Sequence, residues 1–354
     1  MSEETQALTG EELTQLAARF GYQLPSRDQL KSSIGPGPLV AGQVPQAYRA
    51  ECYRFAGDEP SGQAGTRRAT VGQDGRSRNL VFPPAPQALP VAVPDNHTHM
   101  DLLDGDVAVS VRDALDVGQA VGIDRVVQVG CDLPSSVFAV AAARADRRVL
   151  AAVALHPNEA PALAEAGQLE ASLDVIGRLA ADERVRAVGE TGLDYFRTGP
   201  EGRAAQQHSF REHMRLAKRL GKALQIHDRQ AHEDVLAILE SEGAPEVTVF
   251  HCFSGDEQLA QVCNERGWMM SFSGTVTFKN SAGLQRALRL ADPSLLLVET
   301  DAPFLTPHPF RGRPNASYMA NYTVRFMADF LGRDLEGFCR QLAANSEAVY
   351  GPWF

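Results

Sequence analysis

Short apolar runs rich in Val, Leu and Ile recur along the chain after residue 90, and Ala-, Leu-, Glu- and Arg-rich helical patterns separate them. Apolar runs that alternate with helices predict βα units and a parallel sheet. Eight such units in one stretch of this length predict a closed (β/α)8 TIM barrel of the α/β class. The eight predicted strands are Val91–Val93, Arg125–Val129, Val149–Leu155, Val185–Val188, Ala223–Ile226, Val247–Phe250, Trp268–Phe272 and Leu295–Val298.

An open, doubly wound sheet is the alternative for the same alternation of strands and helices. That fold commonly binds phosphate on a GxGxxG turn that follows a strand. None of the apolar runs is followed by this motif. The pattern therefore favours the barrel.

The start of the chain contains one segment that is typical of a helix. Thr9 and Glu12 have the spacing of a capping box, and Gly21 marks the end of the segment. The apolar positions between them, which recur at helical spacing, are Leu13, Leu16, Ala17 and Phe20. We therefore expect one short amphipathic helix here.

The rest of the region before residue 89 has no regular pattern of apolar positions. Ser61–Arg78 is rich in Gly, Arg, Gln and Ser, which predicts a loop. Pro83–Pro86 predicts a stiff, extended linker. We therefore divide the chain into a largely irregular N-terminal extension over residues 1–88 and a barrel domain over residues 89–354.

Charge and cysteine content limit the binding partners and the cellular compartment that we expect for this protein. The formal net charge of the 354 residues is −10, so the overall field does not attract nucleic acid, and contact with a polyanion would need local positive charge. The five cysteines are scattered without a CxxC pair, which excludes the pattern of a zinc ribbon or a disulfide framework. The acidic N-terminus lacks the order of a secretory signal, and we expect a cytoplasmic protein.

Polar residues that can bind a metal follow several of the predicted strands. His97 and His99 close the first strand as an HxH pair, and residues two apart on an extended chain share a face. The other four, each at the end of a later strand, are Glu190, His227, His251 and Asp301. The carboxyl ends of all barrel strands meet at one mouth, where active sites lie. These six residues therefore predict a metal centre.

Six ligands exceed the four that one tetrahedral ion needs, so the set predicts two divalent ions. One would be bound by the HxH pair with Asp301, the other by His227 and His251, and Glu190 would bridge them. A single histidine at a strand end is more often a hydrogen-bonded core residue. Four of the nine histidines at strand ends, together with two carboxylates, favour the metal site. Zinc, manganese and magnesium all suit such mixed ligands.

At these residues the sequence resembles the TatD family of metal-dependent deoxyribonucleases, within the metallo-dependent hydrolase barrels. The resemblance covers residues 91–354, and its segments occur in the family's order. It implies the barrel, the same ligand set and hydrolysis of DNA from the 3′ end. The matching segments are Asp95–Asp101, Ala154–Pro157, Gly189–Tyr195, Ile226–Arg229, His251–Gly255 and Glu299–Pro303.

The sequence departs from the family's pattern at two points. The family usually has a small hydroxyl or thiol residue between the His and the Arg of the fifth-strand motif, where this chain has Asp228. The loop after the last strand often contains an acidic residue after its Asn, but Ala316 follows Asn315 here. Residues 1–88 match nothing in the family.

Several further residues are candidates for catalysis. Glu190 and Asp301 are the predicted catalytic carboxylates, and Asp301 either accepts the proton of the attacking water or serves only as a ligand. Asp194 either orients a ligand histidine from behind or stabilises the turn that contains it. His156 either contacts the substrate or is a buried neutral histidine, and the second interpretation is favoured.

Other residues are candidates for contact with substrate. Arg229 either contacts phosphate with its planar guanidinium or forms an ion pair that fixes its loop. Arg311 and Arg313 lie on the loop after the last strand, where many barrels bind phosphate. The aromatic candidates for base stacking are Phe196 and Phe253, whereas Trp268 is expected in the core.

The combined pattern predicts a divalent-metal-dependent phosphodiester hydrolase with DNA as its substrate. A metal-dependent hydrolase of amide, lactone or cyclic imide bonds is the main alternative, because one barrel serves many substrates. A non-enzymatic metal-binding scaffold is the other, and the complete ligand set argues against it.

Overall fold

The computed structural model describes residues 6–20, 24, 39–49, 69–72, 75–102, 104–107 and 109–354. Eight parallel strands form one sheet in which each strand pairs with the next along the chain. The strands are β1 (Asp95–Thr98), β2 (Val126–Gly130), β3 (Val149–Val153), β4 (Val185–Asp194), β5 (Ala223–Arg229), β6 (Thr248–Phe250), β7 (Met269–Phe272) and β8 (Leu296–Val298). The predicted (β/α)8 barrel is confirmed.

Backbone contacts after β8 close the sheet onto β1. Thr98 forms a parallel bridge with Ala302. The amide of His99 donates to the carbonyl of Ala302 at 2.8 Å, and the amide of Asp301 donates to the carbonyl of His97 at 2.9 Å. These bonds bring the ends of the first and last strands together at the mouth.

Helices surround the strands because their apolar faces pack against the outside of the sheet. β2 and β3 are buried along their whole length, as expected for parallel strands covered on both faces. The helices within the barrel domain are α2 (Val111–Ala120), α3 (Leu133–Ala145), α4 (Ala160–Glu165), α5 (Leu169–Ala180), α6 (Pro200–Leu220), α7 (His232–Glu242), α8 (Glu257–Arg266), α9 (Ala282–Leu290), α10 (Ala320–Phe330) and α11 (Leu335–Tyr350). In the described part of the chain, no helix combines the length and apolar character needed to cross a membrane.

The position of the first strand differs from the prediction. The apolar run Val91–Val93 lies before the strand, and the polar segment Asp95–Thr98 forms it. Buried hydrogen bonds make this possible, since Asp95 accepts from the amide and hydroxyl of Thr300, and the Asn96 amide donates to the carbonyl of Val298. A polar strand can be buried when its neighbours satisfy its side chains. The other seven predicted runs all overlap observed strands.

The N-terminal helix is confirmed as α1 (Gly10–Arg19). Thr9 caps it through a reciprocal capping box with Glu12, which satisfies two amides that have no partner within the helix. The helix lies on the outside of the barrel, where Glu12 pairs with Arg178 at 2.6 Å and the carbonyl of Leu8 accepts from Arg144. Gly21, the predicted end signal, lies outside the described residues.

The segment that precedes the barrel packs against it. Pro83–Pro86 has no regular secondary structure and lies along the barrel, where the carbonyls of Pro83 and Pro84 accept from Tyr318 and Tyr322 at 2.6 and 2.9 Å. Of the predicted loop at 61–78, residues 61–68, 73 and 74 lie outside the described residues. Within the described part, Val71 and Ser77 form an isolated antiparallel bridge.

Candidate metal centre

Four side chains from three strands meet at one point of the mouth. The Nε2 atoms of His97 and His99 face each other at 3.2 Å. Asp301 Oδ1 lies 3.8 Å from the first nitrogen and 3.3 Å from the second. Glu190 Oε1 lies 3.8 and 3.6 Å from the same two nitrogens. The HxH pair, Asp301 and one oxygen of Glu190 therefore form one group.

The second carboxylate oxygen of Glu190 faces a different set of imidazoles. Oε2 lies 2.8 Å from His251 Nε2 and 3.0 Å from His227 Nδ1. His156 Nε2 is 3.8 Å away. The carboxylate of Glu190 thus stands between two groups of histidines, with one oxygen in each.

Two residues at the mouth have left-handed backbone conformations that only glycine adopts freely. Asp301 has a φ of 53° and Cys252 a φ of 42°. Side chains in this region cost about 1–3 kcal/mol each and concentrate at functional sites, where the surrounding structure holds them. Here the amide of Asp301 donates to His97, and that of Cys252 donates to Glu299 Oε1 at 2.8 Å. The backbone is therefore fixed where it presents its side chains to the mouth.

The carboxylates make the mouth favourable for positive charge. Burial acts to lower the pKa of His99, but Asp301 and Glu190 outweigh it and raise that pKa to about 9. The pKa of His251 is also raised well above its ordinary value, because Glu190 and Glu299 outweigh burial. Burial acts to raise the pKa of Glu190, yet His251 and His156 keep that pKa well below the ordinary value. Protons and metal ions compete for such imidazoles.

The donor set fits divalent metal ions. Ligands about 2.1 Å from one ion are separated from each other by roughly 3.0–3.5 Å, close to the 3.2–3.8 Å measured in the group that contains the HxH pair. The Nδ1 of His97 is buried without a hydrogen-bond partner in the described structure. Imidazole and carboxylate ligands suit zinc, manganese and other divalent ions.

Asp194 lies close to His227 and to the turn that follows β4. Its Oδ2 lies 3.3 Å from His227 Nε2, on the side of the ring away from Glu190. Its Oδ1 accepts from the amide of Arg197 at 2.9 Å, which stabilises the turn. Burial acts to raise the pKa of Asp194, but the contact with His227 holds it well below the usual range. The carboxylate is therefore ionised behind the ring.

His156 lies beside the second group of histidines. Its Nδ1 accepts from the amide of Asn158 at 3.0 Å, which leaves Nε2 to carry the proton. Burial lowers the pKa of His156 to about 3. The ring is therefore neutral, and its Nε2 faces Glu190.

The three predicted substrate arginines lie in different surroundings. Arg229 stacks over the ring of Phe196 at 4.0 Å, and Phe196 is 56% exposed. Arg311 lies over Phe278 at 4.4 Å. Arg313 is directed toward the N-terminal extension, where it donates to backbone carbonyls. Among the described residues, Arg229 stacks on an aromatic ring and forms no ion pair of the kind considered as its alternative.

Two predictions for aromatic residues are now decided. Phe253 is 1% exposed, and it packs against Phe250 and Phe272 in the core. Its prediction as a stacking residue is therefore wrong, because its ring has no surface to offer a base. Trp268 is buried beside Phe250, which confirms its place in the core.

Sequence reasoning missed two residues at the mouth. Glu299 Oε1 lies 3.2 Å from His251 Nδ1, and the thiol of Cys131 donates to Glu190 Oε1 at 3.2 Å. Both were detectable in principle, since Glu299 directly follows β8 and Cys131 directly follows β2. Their contacts depend on the direction of each side chain, which the order of residues does not give.

Comparison with known proteins places this geometry in a family. The family model described as TatD related DNase matches residues 94–351. The chain belongs to the TatD family. It is 45% identical over 261 residues to an uncharacterized metal-dependent hydrolase TatD of Mycobacterium tuberculosis, covering 73% of this chain and 97% of that protein. It is 33% identical to the uncharacterized metal-dependent hydrolase YabD of Bacillus subtilis, over 72% of this chain and 98% of the relative.

Solved structures of TatD proteins share the fold. The TatD homologue YJJV of Escherichia coli superposes with a TM-score of 0.64 at 22% identity, covering 73% of this chain and 98% of its own. A TatD family hydrolase of Entamoeba histolytica has the same TM-score at 18% identity, covering 75% of this chain and all of its own. This TatD protein is accordingly an enzyme of a metal-dependent hydrolase family.

Proposed function

We propose that this TatD protein is a deoxyribonuclease that removes nucleotides from the 3′ end of DNA with two divalent ions. The observation that carries the proposal is the position of Glu190, whose two carboxylate oxygens each face a separate group of histidines. A bridging carboxylate between two sets of ligands is the arrangement that a two-metal phosphodiesterase needs. The family description as a DNase supplies the substrate class.

The proposed ligands divide into two sets that share Glu190. His97, His99 and Asp301 would hold one ion. His227 and His251, which both face Glu190 Oε2, would hold the other. When bound, such a pair of ions grips the phosphate, lowers the pKa of a water and stabilises the attacking and leaving oxygens. Zinc, manganese and magnesium remain the candidate ions.

The chain's own residues have distinct proposed tasks around that pair. The carboxylate of Asp301 accepts the proton of the attacking water, since it stands at the mouth beside the HxH pair. Asp194 holds the ring of His227 in orientation from behind. His156, neutral and with Nε2 directed toward the site, donates a hydrogen bond to a phosphate oxygen.

The rim of the mouth supports contact with a nucleotide. The stacked pair of Arg229 and Phe196 offers a guanidinium for phosphate and an exposed ring for a base. Arg311 provides a further positive charge on the exposed loop after β8. Local cations of this kind are what an enzyme with a net charge of −10 needs in order to bind DNA. An amide or lactone substrate would have no comparable use for them.

The test is metal-dependent release of nucleotides from a short single-stranded DNA labelled at its 5′ end. The chelated protein is assayed after addition of manganese, magnesium or zinc, and we expect progressive shortening from the 3′ end by the wild type. Glu190→Gln should lose more than about a hundredfold in rate, because a direct ligand matters at least as much as the outer partners of a metal site. Glu336→Gln on the outer surface of α11 is the matched control and should retain full activity.

A panel of amides and lactones is assayed in parallel with the same metal-loaded protein. Bound ions without any release from DNA would refute the nuclease proposal. Turnover of a panel member that depends on Glu190 would then assign the site to the alternative substrate class. Equal rates for wild type and Glu190→Gln would refute the proposed role of the bridging carboxylate.

A further inference from the structure

The segment formed by residues 75–88, here called the strap, precedes the region that matches the TatD family at residues 94–351. It packs across two loops at the mouth. The first loop, whose described residues are 100–102 and 104–107, follows His99, and the second loop, residues 302–317, follows Asp301. The strap therefore contacts the chain directly after two of the proposed metal ligands.

Arg78 is the main connection between the strap and both loops. Its guanidinium forms a bidentate ion pair with Asp104 in the first loop, at 2.8 and 2.7 Å. Its Nε donates to the carbonyl of Gly312 in the second loop at 3.0 Å. The side chains of Arg78 and Asp104 are only 7% and 2% exposed. A buried, bidentate pair is far more specific in its geometry than a surface ion pair.

Both loops also donate hydrogen bonds to the strap. Arg313 of the second loop donates to the carbonyls of Val81 and Phe82 at 2.9 and 2.7 Å. The amide of Asp106, in the first loop, donates to the carbonyl of Leu80 at 3.2 Å. The backbone of the strap is thus bonded to the loop on either side of it.

Apolar packing fixes the same region. Phe82 of the strap meets Tyr48 at 4.5 Å between ring centroids, and Tyr48 meets Tyr318 at 5.2 Å. A Cβ atom at Gly105 would lie 2.4 Å from the Phe82 ring. Only glycine therefore lets the first loop approach the strap this closely. Phe82, Tyr48 and His99 line one small cavity of about 60 Å³. The strap therefore borders the same cavity as a proposed ligand.

The second loop transmits this contact to Asp301. Its Asn315 side chain donates to the carbonyl of Thr300, the residue before Asp301, at 3.1 Å. The hydroxyl of Thr306 donates to the carbonyl of Arg313 at 2.6 Å. Arg313 bonds to the strap, and Asn315 lies two residues further along the same loop. The second loop therefore connects the strap to the backbone next to Asp301.

We propose that the strap is a positioning element of the metal centre, and that Arg78 is its key residue. By joining the loop after His99 to the loop after Asp301, it holds these two ligands at the separation that one ion requires. Removing the connection keeps both ligand residues in the chain but lets the loops that follow them move apart. The inference rests on the proposed ligand set and is independent of whether the substrate is DNA.

The test is titration of manganese or zinc into the chelated full-length protein, followed by calorimetry. Arg78→Ala should weaken binding by roughly tenfold, the lower end of the effect of outer partners on metal affinity. The loss should affect one of the two expected binding steps, because His227 and His251 have no contact with the strap among the described bonds. Asp104→Asn, which keeps the shape but removes the charge pair, is the second variant and covers the case in which Arg78→Ala does not fold.

Arg325→Ala is the matched control. Arg325 donates to the carbonyls of Gln87 and Ala88 at the far end of the strap, and it contacts neither loop through these bonds. We expect its metal affinity to equal that of the wild type. Wild-type affinity in both Arg78→Ala and Asp104→Asn would overturn the proposal. An equal loss in Arg325→Ala would also overturn it, because the effect would then come from general destabilisation.

Discussion

The two ends of the barrel bury polar side chains in opposite ways. At the mouth, Glu190 and Asp301 face histidines across distances of 2.8–3.8 Å. At the other end, the guanidinium of Arg184 donates to four backbone carbonyls, those of Ala143, Arg147, Val149 and Trp353. The hydrogen bonds of Arg184 are thus satisfied within the protein. At the mouth, by contrast, carboxylates and imidazoles lie together in a way that suits an added cation.

The two ends of the barrel shift the pKa of a basic side chain in opposite directions. Burial, with the nearby Arg186, lowers the pKa of Arg184, so the balance of these effects disfavours positive charge at that end. At the mouth, the carboxylates raise the pKa of His99 to about 9 despite burial. A polar cluster that is complete in hydrogen bonds thus serves the fold, and one that stabilises added positive charge marks a binding site.

The largest expected effect comes from a substitution that changes the mouth and leaves the other end of the barrel intact. Glu190→Gln removes the ligand shared by both groups of histidines, so metal ions should no longer stabilise the protein. For the wild type, each site adds about 3 kcal/mol to the free energy of unfolding at an ion concentration a hundredfold above its Kd. Denaturant unfolding with and without manganese or zinc measures this difference.

Arg184→Ala is the control from the opposite end of the barrel. It should lose roughly 2 kcal/mol of unfolding free energy because buried carbonyls lose their donor, yet it should keep the full stabilisation by metal. If Glu190→Gln gained as much stability from the ions as the wild type does, the mouth would not be their binding site.

His213, a buried histidine of α6, gives a pH-dependent effect on stability of intermediate size. His213 is fully buried, its Nδ1 donates to the carbonyl of Ser209 at 2.7 Å, and its Nε2 accepts from the amide of Leu155 at 3.1 Å. Burial lowers its pKa to about 4. The unfolded chain binds a proton near pH 6.5 and the folded chain does not, so stability is complete above pH 6.5 and is lost as the pH falls toward 4.

This linkage corresponds to up to about 3 kcal/mol, and it is measured as the free energy of unfolding between pH 7 and 4. His213→Gln keeps an acceptor for the amide of Leu155 but does not titrate, so its stability should fall less steeply over this range. Parallel curves for the two proteins would contradict the assignment of His213 as a neutral, buried histidine.

The smallest expected effect separates the two contacts of Asp194. Asp194→Asn keeps an oxygen that can accept from the amide of Arg197, but it removes the negative charge behind His227. Metal affinity should fall by about tenfold, with the free energy of unfolding of the chelated protein little changed. Unaltered affinity, measured by competition with a chromophoric chelator, would leave Asp194 as a turn residue only.

The barrel could be predicted from the sequence because seven of its eight strands overlap a short, mainly apolar run, as burial on both faces demands. The first strand was misplaced because β1 is polar. Asp95 and Asn96 are buried through hydrogen bonds to Thr300 and Val298, residues about two hundred positions away. No local pattern reports partners that lie so far along the chain.

The candidate metal ligands were likewise accessible from the sequence, because a histidine or carboxylate that follows an apolar strand has a fixed place at the mouth of a barrel. Cys131 and Glu299 have similar places, but their contacts with Glu190 and His251 depend on side-chain direction. Phe253 was misjudged for the same reason, since proximity to a motif does not reveal whether a ring points into the core.

The sequence by itself determined the repeating strands and helices, the capped N-terminal helix and the residue types at the strand ends, because each depends on neighbours a few positions apart. Only the tertiary structure decided that Glu190 faces both groups of histidines and that the strap joins the loops after His99 and Asp301. Those relations join segments far apart in sequence, and packing and hydrogen bonds between distant parts of the chain fix them.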